Sequence, residues 1–146
     1  MKKIIFLLLL CISLVGHSSI RKENSKPLEN ESINQVDNSI KVKELTLLVE
    51  FSQKNYPGVF TIESIQEAEV LDLSNSGIKV KDMPGIKYLK KLKVLNLDEN
   101  KIKSLNVSYN KKLEKVICPL SLKKLIRKNN PNLSLISVGE DTVEVS

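Results

Sequence analysis

Histidine, cysteine and tryptophan are almost missing from this chain. Its 146 residues hold one histidine, two cysteines and no tryptophan, beside three tyrosines and three phenylalanines. Cys11 and His17 both fall in the first eighteen residues, which have the build of a secretory signal peptide. Lys2 and Lys3 give a positive start, and residues 4–15 form an apolar run broken only by Cys11 and Ser13. Gly16-His17-Ser18 then supplies small residues at the −3 and −1 positions of a cleavage site. The run is too short for a span, which needs about 20 apolar residues. Lipid attachment at Cys11 is disfavoured by the bulky Leu10 before it. The expected compartment is therefore secreted, periplasmic or cell-surface.

Without that leader the chain keeps a single thiol, Cys118, and no histidine. An intrachain disulfide is excluded even in the oxidising compartment that export implies. So are a histidine-containing metal site and a Cys-His or Ser-His nucleophile pair. Ser-Lys and paired-carboxylate chemistry survive the composition test but find no desolvated pocket to tune them. The chain is expected to be no enzyme and to carry no cofactor.

Charge is unevenly spread. Residues 71–130 hold fifteen of the 23 basic residues and only five of the 17 acidic ones, while the flanking segments are net acidic. A basic middle can attract an anionic partner, and it can equally be an ordinary solvated surface.

Leucine is what the chain has in quantity, and it is periodic. LKVLNLDENKI places Leu92, Leu95, Leu97, Asn100 and Ile102 in the order L-x-x-L-x-L-x-x-N-x-L. AEVLDLSNSGI repeats it with Ala68, Leu71, Leu73, Ser76 and Ile78, and LEKVICPLSL with Leu113, Val116, Cys118, Leu120 and Leu122. LSLISV is a worn last copy through Leu133, Ile136 and Val138. The central residues Leu71, Leu95, Val116 and Ile136 are 24, 21 and 20 apart, a leucine-rich-repeat period. Half-copies lie between: Ile102, Leu105, Val107, Asn110 and Leu113, then Leu122, Leu125, Asn130 and Leu133, with Arg127 where Val107 stood. Each coil is thus expected to have a strand side and a return side. A single coil cannot bury its own apolar side, whereas stacked coils can.

In such a strand Leu95 and Leu97 point inward while Val94, Asn96 and Asp98 point outward. The asparagine turns the corner by bonding backbone groups that have left the strand ladder. Leu120 is read at that corner in the third copy, predicting a looser turn. Arg127 at an inward place predicts that the return side opens as the solenoid ends.

Ahead of the repeats, residues 19–36 are polar and read as a flexible linker. Val42, Leu45, Leu48 and Val49 then recur at helical spacing, with Asp37, Asn38 and Ser39 as N-cap candidates. NYPG breaks that helix. A second short helix is predicted in TIESIQEAE, capped by Thr61, with Phe60 and Ile65 placed as a hydrophobic staple. The expected organisation is a signal peptide at 1–18, the linker, a helical N-terminal cap at 37–68, the solenoid at 69–139, and a tail or edge strand at 140–146. The fold class is α/β, a leucine-rich-repeat solenoid with a small helical cap.

These segments resemble the secreted or surface leucine-rich-repeat proteins of bacteria. NYPGVFTIESIQEAEVLDLSNSGI is similar to their cap and entry repeat. GIKVKDMPGIKYLKKLKVLNLDENKI resembles the internalin-like repeat, with Gly85-Ile86 and Tyr88-Leu89 in a helical or 3₁₀ return segment, and NKIKSLNVSYNKKLEKVIC resembles the short two-sided repeats. Many relatives have a calcium-type acidic run in the cap loop. Here SQKNYPGVF has no carboxylate, so no calcium is expected there.

The resemblance implies a concave sheet face that binds a protein partner, which remains unidentified. Its columns are predicted as Val70, Val94, Lys115 and Leu135; Asp72, Asn96, Ile117 and Ser137; Ser74, Asp98, Pro119 and Gly139. Aliphatics among polar groups make Val70, Asp72, Ser74, Val94, Asn96, Asp98, Lys115 and Ile117 the candidate contact residues. The alternative is attachment through lysines to anionic polysaccharide, lipid headgroups or nucleic acid. Against it, most of the lysines are expected on turns and the convex side, not on one stripe with stacking aromatics. Cys118 is expected inward, as a buried and unreactive thiol.

Overall fold

The computed structural model describes residues 29–130 and 133–146. The signal-peptide reading at residues 1–18 lies outside the described residues. The described chain opens with helix α1 (Glu29–Ser52) and a 3₁₀ turn (Ser64–Glu67), and continues with β1 (Val70–Asp72) and a second 3₁₀ turn (Ile86–Tyr88). The strands β2 (Val94–Asn96), β3 (Ser104–Asn106), β4 (Lys115–Ile117), β5 (Lys124–Ile126), β6 (Ser134–Ile136) and β7 (Val143–Val145) follow.

The strands alternate between two parallel sheets, one in the order β1-β2-β4-β6 and the other β3-β5-β7. The chain is therefore a parallel-sheet solenoid of about four turns. From the second coil on, both faces are built from three-residue strands, and the predicted half-copies supply β3 and β5 of the second sheet; the return side of the first coil has a single bridge from Asp82 to Ser104 and the second 3₁₀ turn.

Alternation explains why strands form at these places. Leu71 and Leu73, Leu95 and Leu97, and Val116 and Cys118 are all buried between the sheets. From the second sheet, Ile102, Leu105, Val107, Leu122 and Leu125 meet them. Fully burying each such aliphatic is worth about 1.5–3 kcal/mol. A single coil would leave its edges open, so the burial is completed only by the coils stacked on either side.

Buried asparagines close the corners. Asn100 Nδ2 lies 2.7 Å from the Leu73 carbonyl and 2.9 Å from that of Leu97, and Asn100 Oδ1 accepts the Ile78 N–H at 3.0 Å. On the second-sheet side, Asn110 Nδ2 donates to the Ile86 and Leu89 carbonyls at 2.7 and 2.8 Å, and Asn130 Nδ2 to that of Val107 at 2.7 Å. Backbone leaving a strand ladder is thereby paired to the preceding coil.

Several readings are corrected. The third corner is turned by Ser121, not Leu120, which is 72% exposed. Pairing of Leu95 with Val116 sets Ser121 opposite Asn100, and the Ser121 hydroxyl lies 3.1 and 2.9 Å from the Asn100 and Ile102 carbonyls. The last copy is also shifted. Val116 pairs with Leu135, not Ile136, because only Ser134 separates Leu133 from the inward position and the Ser134 N–H is held by the Glu114 carbonyl at 2.8 Å. Leu135 therefore packs on the core instead of standing in the outward column, where Ser134 takes its place. Nor does the return side open at Arg127. Its N–H donates to the Val145 carbonyl at 2.9 Å, and its guanidinium Nε lies 2.9 Å from the Glu144 carboxylate as β7 adds to β5.

Helix α1 already covers Glu29, so Asp37, Asn38 and Ser39 lie within it and are not its N-cap. The missed signal is the helical spacing of Ile33, Val36 and Ile40, hidden among polar neighbours. The second predicted helix is only one 3₁₀ turn. It is fastened by a reciprocal pair in which the Thr61 N–H donates to Ser64 Oγ at 2.8 Å and the Ser64 N–H to Thr61 Oγ1 at 3.2 Å. No helix of the described residues is long and apolar enough to cross a membrane.

Candidate binding face

Strand pairing assembles most of the predicted face. Val70 pairs with Val94 and Val94 with Lys115; Asp72 pairs with Asn96 and Asn96 with Ile117. Val70 is 55% exposed, Val94 and Ile117 are half-buried, and Lys115 is exposed. The three aliphatics thus sit on adjacent strands of the first sheet, on the side away from the core.

The polar members of the face are bonded to their own turns. Asp72 Oδ1 accepts the Ser74 N–H at 2.9 Å, and Asn96 Oδ1 accepts the Asp98 N–H at 3.1 Å. These are Asx turns that end β1 and β2, and Asn106 repeats them at the end of β3 by accepting the Ser108 N–H at 3.0 Å. Asp98 Oδ1 accepts the Glu99 N–H at 2.9 Å, at a residue with positive φ. Each of these side-chain oxygens shapes the chain's own turn. Pro119, predicted in the same column as Ser74 and Asp98, is buried.

Sequence reading missed the residues that border the face at β1. The loop after α1 presents Asn55, whose Nδ2 donates to the Asp72 and Ser74 carbonyls at 3.1 and 3.0 Å. Tyr56 Oη accepts the Asp72 N–H at 3.1 Å, and Lys54 Nζ bonds the Asn75 carbonyl. The outer edge of the first sheet is thereby paired by side chains in place of another strand. Tyr56 is held edge-on to Phe60, with ring centroids 5.1 Å apart. NYPG was legible as a helix breaker, but nothing in four residues announces which distant carbonyls they meet.

At the strand entrances, Lys93 pairs with Glu69 at 2.8 Å and Lys91 with Glu67. The Lys93 hydrogen bond and charge hold the Glu69 carboxyl below its ordinary range, and Glu69 in turn raises Lys93. Two ion pairs thus border the aliphatic patch at the entrances to β1 and β2.

Comparison of the chain with protein-family models, curated proteins and solved structures gives no match. The chemistry must therefore be read from these side chains alone. Cys118 is fully buried and unpaired, and burial, helped by the Glu144 charge, pushes its thiol up to about 11. A thiol in that state is a small hydrophobe.

The lysines are more ordered than the sequence suggested. The Lys103 N–H donates to the Lys81 carbonyl at 3.1 Å, and the Lys123 N–H to the Lys103 carbonyl at 2.9 Å. Lys81, Lys103 and Lys123 therefore occupy one position on three successive rungs, and all three are exposed. The Lys101 N–H donates to the Ile78 carbonyl at 2.8 Å, which sets Lys101 one rung from Lys79 in a parallel column.

Proposed function

We propose that this chain is a leucine-rich-repeat protein, exported and non-enzymatic, that binds a protein partner across the outer face of its first sheet. On leucine-rich-repeat geometry that face is the concave one, and α1 with the loop at Lys54, Asn55 and Tyr56 serves as the N-terminal cap. The reading rests on Val70 and Val94, paired on adjacent strands, with Ile117 diagonal to Val94 on the next strand, three aliphatics on the face opposite the alternate residues that fill the core. An apolar strip bordered by paired charges has the composition of a small contact surface. The asparagine corners and the period near 21 residues support the repeat class.

Asp72 and Asn96 contribute by fixing the strand ends, while the aliphatics and Lys115 provide the contact. Secreted, periplasmic and surface-attached states are all compatible with this role.

Quantitative pull-down from the native host's extract, comparing wild type with Val94→Lys and Ile117→Lys, tests the proposal. Both side chains are half-buried on the outer face, so the variants should retain their circular dichroism. Specific partners should be lost from both. Undiminished capture of every partner by two folded variants sinks the concave-face reading.

A further inference from the structure

A second surface, separate from the aliphatic strip, runs along the corner that leads into the other sheet. We propose that Lys79, Lys81, Lys101, Lys103 and Lys123 form a cationic strip that binds a linear acidic polysaccharide lying along the solenoid axis.

Register carries the argument. Parallel rungs repeat every ~4.8 Å, and backbone bonds just ahead of β3 and β5 carry that repeat into the corner, so the five lysines form two columns along the solenoid. The columns run Lys79 to Lys101 and Lys81 to Lys103 to Lys123. They flank Val80 and the buried Ile102, so the lysines share the side away from the core, and all five are exposed. Among the described residues, no carboxylate lies within ion-pair distance of Lys79, Lys81, Lys101 or Lys103.

The acids that do adjoin the strip mark its limits. Asp82, whose bridge partner is Ser104, stands beside Lys81 at the first rung, and Asp141 pairs with Lys123 at 2.9 Å at the last. Between them, like charges stand opposite one another on neighbouring coils, an arrangement that is destabilising unless something neutralises it. A polymer carrying regularly spaced carboxylates does so, one rung after another.

The chemistry of the strip favours a polysaccharide over the other polyanions. Single-stranded nucleic acid is normally held by aromatic platforms as well as charge. The described tyrosines, Tyr56, Tyr88 and Tyr109, are committed elsewhere: Tyr56 against Phe60, Tyr88 beneath Lys41 and Lys87, and Tyr109 beneath Lys90. A membrane surface is matched by a broad basic patch with apolar residues to insert. Here the strip is two residues wide.

Calorimetry with the intact protein, using a long polyuronate fragment as probe, tests this. Binding should weaken roughly tenfold or more as salt rises from about 50 to about 200 mM, as expected for release of several counterions. Lys81→Gln with Lys103→Gln should cost roughly tenfold in affinity at the lower salt. Lys111→Gln with Lys112→Gln, the same charge change off the strip, should cost less than about twofold. Equal losses in the two pairs would overturn the proposal, as would absent binding at low salt. Tighter binding to single-stranded DNA or to anionic vesicles would replace the polysaccharide with that partner. Failure here leaves the aliphatic face of the first sheet untouched, because none of these substitutions lies on it.

Discussion

The Asn100 amide donates to the Leu73 carbonyl at 2.7 Å, fastening the corner of one coil to the strand end of the coil before it. The same side chain accepts the Ile78 N–H at 3.0 Å, and the whole group is buried. Two coils are thus joined at a point where neither has a strand ladder.

Asn100→Ala should cost about 2–4 kcal/mol, since each buried backbone group left unpaired costs about 1–3 kcal/mol. Denaturant unfolding measures it. A loss below about 0.5 kcal/mol would mean that the corner groups find other partners.

Glycine substitution separates backbone strain from packing. Gly85 and Gly77 both have positive φ, at 80° and 73°. A Cβ on Gly85 would stand 2.8 Å from the Glu44 carbonyl oxygen, whereas one on Gly77 meets nothing within 4 Å. Gly77→Ala should therefore cost about 1–2 kcal/mol, the ordinary left-handed penalty. Gly85→Ala should cost more and should push α1 away from the first coil. Amide exchange near Leu45 and Leu48 is the readout, and equal costs with unchanged exchange would contradict this packing.

Cys118 supplies a pH signature. Its thiol is raised from 9.0 to about 11 in the fold, so below pH 9 the folded and unfolded chains are both protonated there. As pH climbs from 9 toward 11 only the unfolded thiol ionises, and stability is lost. The loss amounts to about 2–3 kcal/mol by linkage. The difference in unfolding free energy between wild type and Cys118→Ala should shrink across that window and stay flat below it. Native protein at pH 8 should resist thiol reagents until denatured; rapid modification would place the thiol outside the core.

Leu120 and Ser121 offer a test of the third corner. Leu120 is exposed, so Leu120→Ser should change stability by less than about 0.5 kcal/mol. Ser121→Ala removes a hydroxyl from the Asn100 and Ile102 carbonyls and should cost about 1 kcal/mol. The reverse ranking in thermal unfolding would restore Leu120 to the corner.

The architecture was legible because it is periodic. Leu71, Leu95 and Val116 occur at the intervals that place them side by side, and each copy reinforces the others. Legibility failed where the period slipped by one residue. Leu120 for Ser121 and Ile136 for Leu135 are both such slips, because in a leucine-rich segment an apolar residue stands ready at the wrong step. Side-chain to backbone bonds were invisible for another reason. Asp72 and Asn96 looked like exposed ligand groups, and only the chain path shows each turning back to the N–H two residues on. The lysine columns needed pairing as well: Lys81, Lys103 and Lys123 are unremarkable until the rungs set them in line.

Register is what every one of these arguments depends on, and nuclear magnetic resonance measures it directly in solution. Cross-strand contacts should connect Leu71 to Leu95, Leu95 to Val116 and Val116 to Leu135 in the first sheet, and Leu105 to Leu125 in the second. Contacts from Val116 to Ile136 as its inward partner would move the last coil by one residue, and a helical pattern of contacts between Leu92 and Leu97 would contradict the solenoid itself.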